Sequence, residues 1–232
     1  MEYNINHISY KYSKDGPLVL DDVSFSIQKG KVTAIVGPSG CGKTTLVEIF
    51  SQVIPKLIST GELSGSFDVP EDTFVSVVSQ NPENQLFGYG VEDAIAFGME
   101  NLGISQQEIS ERMEYVLDLL NLQYLRKRSV ANLSGGQRQS VCIASVLAMD
   151  PDVLIMDEPT RGIDVGAKHE IYEIMNDLAA QGKAIIMISS EMAELIGMSD
   201  RIYVMCNGKM RGELNNREDM TQEKIMSYAT QF

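Results

Sequence analysis

The sequence predicts an α/β fold with a mainly parallel central sheet. Three short, largely apolar runs, at 32–36, 153–157 and 184–189, are bounded by polar or turn-forming residues, as expected of strands covered on both faces. Residues 166–180 lie between two of these runs and carry apolar side chains at helical spacing, which gives the strand–helix–strand order of a parallel sheet. No repeat, low-complexity tract or linker divides the 232 residues, so one domain is expected.

The amino-terminal part combines antiparallel strands with one strand–loop–helix unit. The helix after the glycine-rich loop is expected to end near Val53, because Pro55 cannot continue it. The strands predicted in this part are 2–12, 18–28, 32–36, 62–69 and 74–78.

Helical spacing dominates the middle of the chain, and a helical insert is expected at about 85–150. Within it, apolar residues at i, i+3, i+4 and i+7 predict a helix over 105–121, with Ser105 and Glu108 as a capping box. Asn207-Gly208 predicts a tight hairpin. The other elements expected after the insert's first helix are a helix ending at Met149, strands 153–157, 184–189, 201–206 and 209–214, and helices 166–180, 191–197 and 221–229.

Composition limits the possible partners and compartments. With 44% apolar and 22% charged residues the chain is globular, and its net charge of −13 argues against wide contact with nucleic acid or anionic lipid. The odd number of cysteines (Cys41, Cys142 and Cys206), without a CxxC pair, suits a reducing cytosol and offers no metal framework. No signal peptide and no apolar stretch of about 20 residues is present in the sequence.

A glycine-rich loop follows the first buried run and leads into a helix. This order is typical of a phosphate-binding loop, in which backbone N–H groups and the helix N-terminus close on phosphate oxygens. There Lys43 would reach the outer phosphates, and the Thr44 hydroxyl would hold Mg²⁺. The loop predicted to bind nucleotide consists of Gly37, Pro38, Ser39, Gly40, Cys41, Gly42, Lys43, Thr44 and Thr45.

Two adjacent carboxylates, Asp157 and Glu158, end the apolar run that begins at Val153. Alone, the pair fits equally a solvated strand end or a catalytic pair. With Lys43 and Thr44 upstream, the catalytic interpretation is favoured. Asp157 would then hold the magnesium through water, and Glu158 would polarise the water that attacks the γ-phosphate.

A second anion-binding segment precedes the helix that ends at Met149. Its serine and two glycines at a helix start would bind phosphate, as the first loop does. One chain does not need two such sites for one nucleotide, so two chains are expected to face each other, each covering the other's nucleotide. The segment consists of Leu133 followed by Ser134, Gly135, Gly136 and Gln137.

Over essentially its whole length the chain resembles the ATP-binding-cassette (ABC) ATPases. The resemblance rests on segments 37–45, Gln80, 133–137, 157–158 and 160–164. It implies ATP and Mg²⁺ as ligands. It also implies a P-loop NTPase fold with a RecA-like parallel-sheet core, an antiparallel β subdomain and a helical ABC insert, all within a single ATP-binding domain.

The resemblance also implies roles for individual residues. Tyr12 would stack on adenine, Gln80 would contact Mg²⁺, water and the permease groove, Glu158 would be the catalytic base, and Asp164 would belong to the D-loop that spans the dimer. The residues alone leave alternatives open, since Tyr12 also fits a core aromatic of a strand. Gln80 also fits a polar loop residue.

Two subfamilies of importers share local sequence with the chain. Residues 79–87, 92–98 and 100–103 resemble energy-coupling-factor and cobalt-type importers. The segments 160–168, 188–192 and 197–201 resemble the second cassette of ribose-type sugar importers. The resemblance therefore implies an ATPase subunit that powers solute uptake. It would act through a separate membrane permease, held peripherally at the cytoplasmic face of the cell membrane.

One position departs from the family pattern with consequences for turnover. The family usually has a histidine just past the strand at 184–188, where this chain has Ser190; His7 and His169 do not match it. A serine cannot carry positive charge or span the same distance. We expect slow hydrolysis at this chain's own site and favour a heterodimer over a homodimer; the alternative is that Glu158 suffices.

Three further interpretations stay open. One alternative function is a nucleotide-gated dimerisation module with little turnover, which Ser190 supports. A soluble ABC ATPase of DNA repair or translation is less favoured, because neither a heptad run nor a basic tract is present. Cys41 is either a small residue that fits the loop or a reactive thiol whose pKa the helix N-terminus lowers.

Overall fold

The computed structural model describes residues 2–58, 60–161, 163 and 165–230. Its strands follow the predicted runs to within one or two residues at each end. In chain order they are β1 (Glu2–Lys11), β2 (Leu20–Gln28), β3 (Val32–Val36), β4 (Glu62–Asp68), β5 (Val75–Val78), β6 (Val153–Asp157), β7 (Ala184–Ile188), β8 (Arg201–Cys206) and β9 (Lys209–Leu214).

The central sheet has the order β5-β6-β7-β3-β8-β9. The first five strands in this order are parallel, and β9 is antiparallel to β8. The inner strands β3, β6 and β7 are buried almost throughout, because helices or a second sheet cover both faces. The hairpin into β9 turns at Asn207 and Gly208, both with positive φ as predicted.

Successive side chains of the central strands point to opposite faces of the sheet and pack into two apolar cores. Ile35, Ile155 and Ile186 belong to the core shared with the antiparallel sheet β2-β1-β4 and with the helix after β3. Ala34 and Met187, one residue away on their strands, belong to the core beneath the remaining helices. The α/β class predicted from the sequence is confirmed.

The helices, in chain order, are α1 (Lys43–Phe50), α2 (Val53–Lys56), α3 (Val91–Asn101), α4 (Gln106–Leu119), α5 (Gly135–Leu147), α6 (Val165–Ala180), α7 (Met192–Met198) and α8 (Gln222–Ala229). Helices α3, α4 and α5 lie between β5 and β6 along the chain. Ser105 caps α4 by accepting the backbone N–H of Glu108 at 3.3 Å. In the part of the chain that the structure describes, no helix is long and apolar enough to span a membrane.

Two helix predictions need correction. Helix α1 ends at Phe50, not near Val53, because Gln52 takes a left-handed conformation with φ 62°; Pro55 lies in the next turn and does not end α1. Helix α3 was not predicted as an element. Its Gly98 lowers helix propensity, and the absence of a Cβ leaves room for the Met149 side chain, whose sulfur would lie 2.5 Å from such an atom.

Candidate nucleotide site

The site lies where the parallel strands end. Because β5, β6, β7 and β3 are neighbours and run in the same direction, the segments that follow them meet at one edge of the sheet. Ligands of open α/β sheets bind at this carboxyl edge. It collects residues 79–80, 157–158, 189–190 and 37–42.

The loop after β3 needs its glycines for two different reasons. A Cβ at Gly37 would lie 2.3 Å from the carbonyl oxygen of Met205 on β8, so the loop is pressed against the sheet. Gly40 and Gly42 have φ of 79° and 103°, a region that favours glycine. The backbone is thereby folded into a cradle ahead of α1, which fits a bound phosphate chain.

Lys43 lies over this cradle. Its Nζ donates to the carbonyl oxygens of Gly37 at 2.7 Å and Pro38 at 3.1 Å. The ammonium group is therefore held at the concave side of the loop, where an anionic ligand would exchange for the two carbonyls. Thr44, the next residue, is exposed at the start of α1.

Tyr12 lies beside α1, just after β1. Its hydroxyl is 3.0 Å from the Thr45 Oγ1 and donates to the Glu48 carboxylate at 3.2 Å. The side chain is 43% exposed, so the alternative of a core aromatic is wrong. An exposed ring beside the phosphate loop is compatible with adenine stacking, which stays a prediction.

Asp157 and Glu158 differ in their surroundings although they are adjacent. Burial raises the pKa of Asp157, the Glu158 carboxylate raises it further, and Lys43 opposes this shift. Lys43 and Asp157 therefore interact across β7. Glu158 has a φ of 51°, rare for a residue with a side chain, and its N–H donates to the Ile188 carbonyl at 2.7 Å.

Ser190 contacts the carboxylate predicted to be the catalytic base. Its Oγ donates to the Glu158 Oε2 at 3.1 Å. His7 and His169, which were expected not to match this position, are exposed and pair with Asp22 and Glu173. The structure thus brings Ser190 to Glu158 and leaves both histidines away from it.

Gln80 follows β5 at the same edge and is partly buried. The loop that carries it is anchored by Gln85, whose Oε1 accepts from the Ser79 N–H at 2.8 Å and from the Cys142 thiol of α5 at 3.3 Å. Gln85 was not singled out from the sequence. It lies in the segment 79–87, but its bond to Cys142, 57 residues away, could not be predicted from local sequence.

The segment 133–137 leads into α5, one of the helices that lie between β5 and β6 along the chain. Ser134 and Gln137 form a reciprocal capping box, with the Gln137 N–H on the serine Oγ at 3.2 Å and the Ser134 N–H on the glutamine Oε1 at 3.0 Å. Neither Gly135 nor Gly136 has a positive φ. A Cβ at Gly135 would meet nothing within 4 Å, and one at Gly136 only Ile163 at 3.9 Å. The chain's own packing therefore does not require these two glycines.

A family model described as "ABC transporter" matches residues 20–161. The chain belongs to the ABC transporter family. It is 38% identical over 215 residues to the energy-coupling factor transporter ATP-binding protein EcfA1 of Thermotoga maritima, covering 90% of this chain and 80% of the relative. To the ribose import ATP-binding protein RbsA of Clostridium perfringens it is 39% identical over 223 residues, covering 89% and 44%.

A solved structure agrees with these sequence relatives. The structure of cbiO1 from Clostridium perfringens, described as part of the ABC transporter complex cbiONQ, has a TM-score of 0.80 at 29% identity and covers 97% of this ABC chain and 92% of that one. The predicted P-loop NTPase fold and the resemblance to both importer groups are confirmed. The chain spans only 36% and 44% of the length of the first two curated relatives.

Two expectations about the ABC motifs remain to be placed. Cys41 is buried, and this burial raises the pKa of its thiol although Lys43 opposes the shift; of its two alternatives, this favours the small residue that fits the loop. Asp164, predicted for the D-loop, falls outside the described residues, as does Gly162.

Proposed function

We propose that this chain is the ATP-binding and ATP-hydrolysing subunit that powers solute uptake through a separate membrane permease. The observation that supports it best is the pairing of Glu158 with Ser190 at the sheet edge that also carries Lys43 and Asp157. The import and energy-coupling names of the similar proteins from Thermotoga maritima and Clostridium perfringens support the same role.

The proposed division of labour follows from the position and chemistry of each side chain. Lys43 would exchange its two loop carbonyls for outer phosphate oxygens, at the N-terminus of α1. Thr44, Asp157 and Gln80 offer hydroxyl, carboxylate and amide oxygens, the donor set that suits Mg²⁺. When bound, the metal supplies charge neutralisation to the phosphates. Tyr12 would stack on the adenine.

Glu158 is the proposed catalytic base. Its carboxylate is within hydrogen-bond distance of a hydroxyl at the open edge of the sheet, so it is positioned to accept a proton from water there. Ser190 orients this carboxylate but brings no positive charge to the γ-phosphate.

A second ABC subunit is proposed to complete the site. Gly135 and Gly136 are required neither by φ nor by internal packing, so their small size fits a ligand or chain that approaches from outside. The segment 133–137 would cover the nucleotide of the partner through Ser134, Gly135, Gly136 and Gln137. Asp164 would lie in the D-loop between the two subunits. Ser190 favours a heterodimer whose other subunit has the histidine.

The permease is proposed to dock on a groove between α3 and α4 that acidic and apolar residues line together. The groove has a volume of about 330 Å³, and Phe87 stacks on Phe97 at 4.8 Å in its wall. Both rings are about half exposed, and Glu100 lies at the rim. An amphipathic permease segment with a basic residue fits this surface. Such docking would hold the chain peripherally at the cytoplasmic face of the cell membrane.

The test of the proposed function is phosphate release by the purified chain, with and without the co-reconstituted permease. We expect permease to stimulate hydrolysis, Lys43→Ala to weaken nucleotide binding, and Glu158→Gln to retain binding but lose turnover. Removing a group of this kind typically lowers the rate by about 10²–10⁴-fold. An unchanged rate in Glu158→Gln would refute the proposal.

A second candidate function is a nucleotide-gated dimerisation module with little turnover of its own, favoured by Ser190 at the histidine position. In that case ATP would cause dimerisation, and permease would not stimulate hydrolysis. Salt-sensitive binding to DNA would instead support a soluble ABC ATPase of another class.

A further inference from the structure

A buried carboxylate lies beside the proposed catalytic base and has no part in the roles assigned above. Glu194, on α7, is only 4% exposed. Removing a carboxylate from water costs free energy unless hydrogen bonds compensate for it. Both of its oxygens have such partners.

The partners of Glu194 come from two separate segments. The Thr160 hydroxyl, two residues after Glu158, donates to its Oε1 at 2.7 Å. The Ser189 hydroxyl, adjacent to Ser190, donates to its Oε2.

Each of these two segments carries one residue of the hydrogen bond between the Ser190 Oγ and the Glu158 Oε2, which are 3.1 Å apart. Glu158 belongs to the segment after β6, and Ser190 to the segment after β7. Ser189 also accepts the Glu191 N–H at 3.0 Å, which fixes the turn just after Ser190. The buried Glu194 carboxylate therefore links the two segments through its hydrogen bonds, while Glu158 and Ser190 face the open edge of the sheet.

We propose that Glu194 is a positioning residue for ATP hydrolysis, which holds the Ser190 segment against the Glu158 segment. It does not touch the nucleotide and acts only through Thr160 and Ser189. The inference rests on the proposed function, because it assumes that Glu158 carries the hydrolytic step. It names a further determinant of the rate that no motif in the sequence marks.

The experiment measures kcat, nucleotide Kd and thermal unfolding for the full chain and for Glu194→Ala and Glu194→Gln. A displaced catalytic group can cost about 100-fold in rate, so we expect Glu194→Ala to lower kcat by about 10- to 100-fold with an unchanged Kd. Glu194→Gln keeps the side-chain shape, and a hydroxyl can turn to accept from its amide, so kcat should return to within about threefold of the parent.

The matched control is Glu173→Ala, which removes an exposed carboxylate of α6 that contacts only His169 among the ion pairs described. We expect it to leave kcat unchanged. Equal kcat values in Glu194→Ala and Glu173→Ala would overturn the inference, as would a glutamine variant no faster than the alanine variant.

Two further variants keep the inference testable if Glu194→Ala does not fold. Thr160→Val and Ser189→Ala each remove one hydrogen bond to Glu194, and each should lower kcat without changing Kd. Normal kcat in both would overturn the inference. Glu158→Gln, measured in parallel, separates the two failures: if it hydrolyses ATP like the parent, the proposed function falls and the inference with it.

Discussion

At the scale of single residues, Ser190 sets an expectation for turnover. It gives Glu158 a hydrogen bond at 3.1 Å but no positive charge. We therefore expect Ser190→His to raise phosphate release by the purified chain by at least about tenfold, since a donor aimed at developing charge is typically worth 10²–10³. Equal rates in the two proteins would contradict the expectation, and Ser190→Ala serves as the control for loss of the hydroxyl.

Two buried thiols give the chain a pH dependence in the alkaline range. Burial raises the pKa of Cys41 from 9.0 and that of Cys142 to about 12. The unfolded chain therefore loses these protons first, and the free energy of unfolding should fall as pH rises from about 9 to about 12.

The same shift makes a kinetic prediction for Cys41. Iodoacetamide at pH 8 should alkylate it much more slowly in the folded chain than in urea, because the thiolate is the reacting species. Rapid modification of the native protein would show that the loop opens or that the pKa is not raised.

At the scale of elements, the start of α5 can be tested separately from folding. Gly135→Ala meets no neighbour within 4 Å, so the free energy of unfolding should stay the same or rise by up to about 1 kcal/mol. Under the proposed arrangement the added methyl would face the partner's nucleotide, so hydrolysis should fall at least about tenfold.

Gly37→Ala is the matched control for that substitution. A Cβ there would lie 2.3 Å from the Met205 carbonyl, so both stability and hydrolysis should fall. If Gly135→Ala lowered stability as much as Gly37→Ala, the glycine at the start of α5 would be structural.

The elements also show how much of the fold and of the candidate site could be predicted from the sequence. Strands such as β6 and the loop before α1 were predictable, because apolar runs and glycine spacing are local signals. Helix α3 was not predicted, because its Gly98 lowers helix propensity. Gln85 and Glu194 were not singled out, since each also bonds to a residue far along the chain, Cys142 at 57 residues and Thr160 at 34.

At the scale of the whole molecule, charge decides what can hold the chain at a membrane. The net charge is −13, so electrostatics oppose adhesion to anionic lipid. We expect the purified chain not to float with phosphatidylserine-containing vesicles, and to float when the permease is present in them. Salt-sensitive flotation with protein-free vesicles would contradict this, and Glu100→Lys, at the rim of the groove, should weaken flotation with permease.

The left-handed backbone at Glu158, with φ of 51°, has an evolutionary consequence. Holding a residue with a side chain in this conformation costs on the order of 1 kcal/mol, whereas glycine adopts it without that cost. If Glu158 is the catalytic base, as proposed, selection for turnover maintains an acid at this position. In a gene copy without that selection, replacement of Glu158 by glycine would raise the free energy of unfolding. Loss of the acid would therefore accompany a more stable but inactive protein.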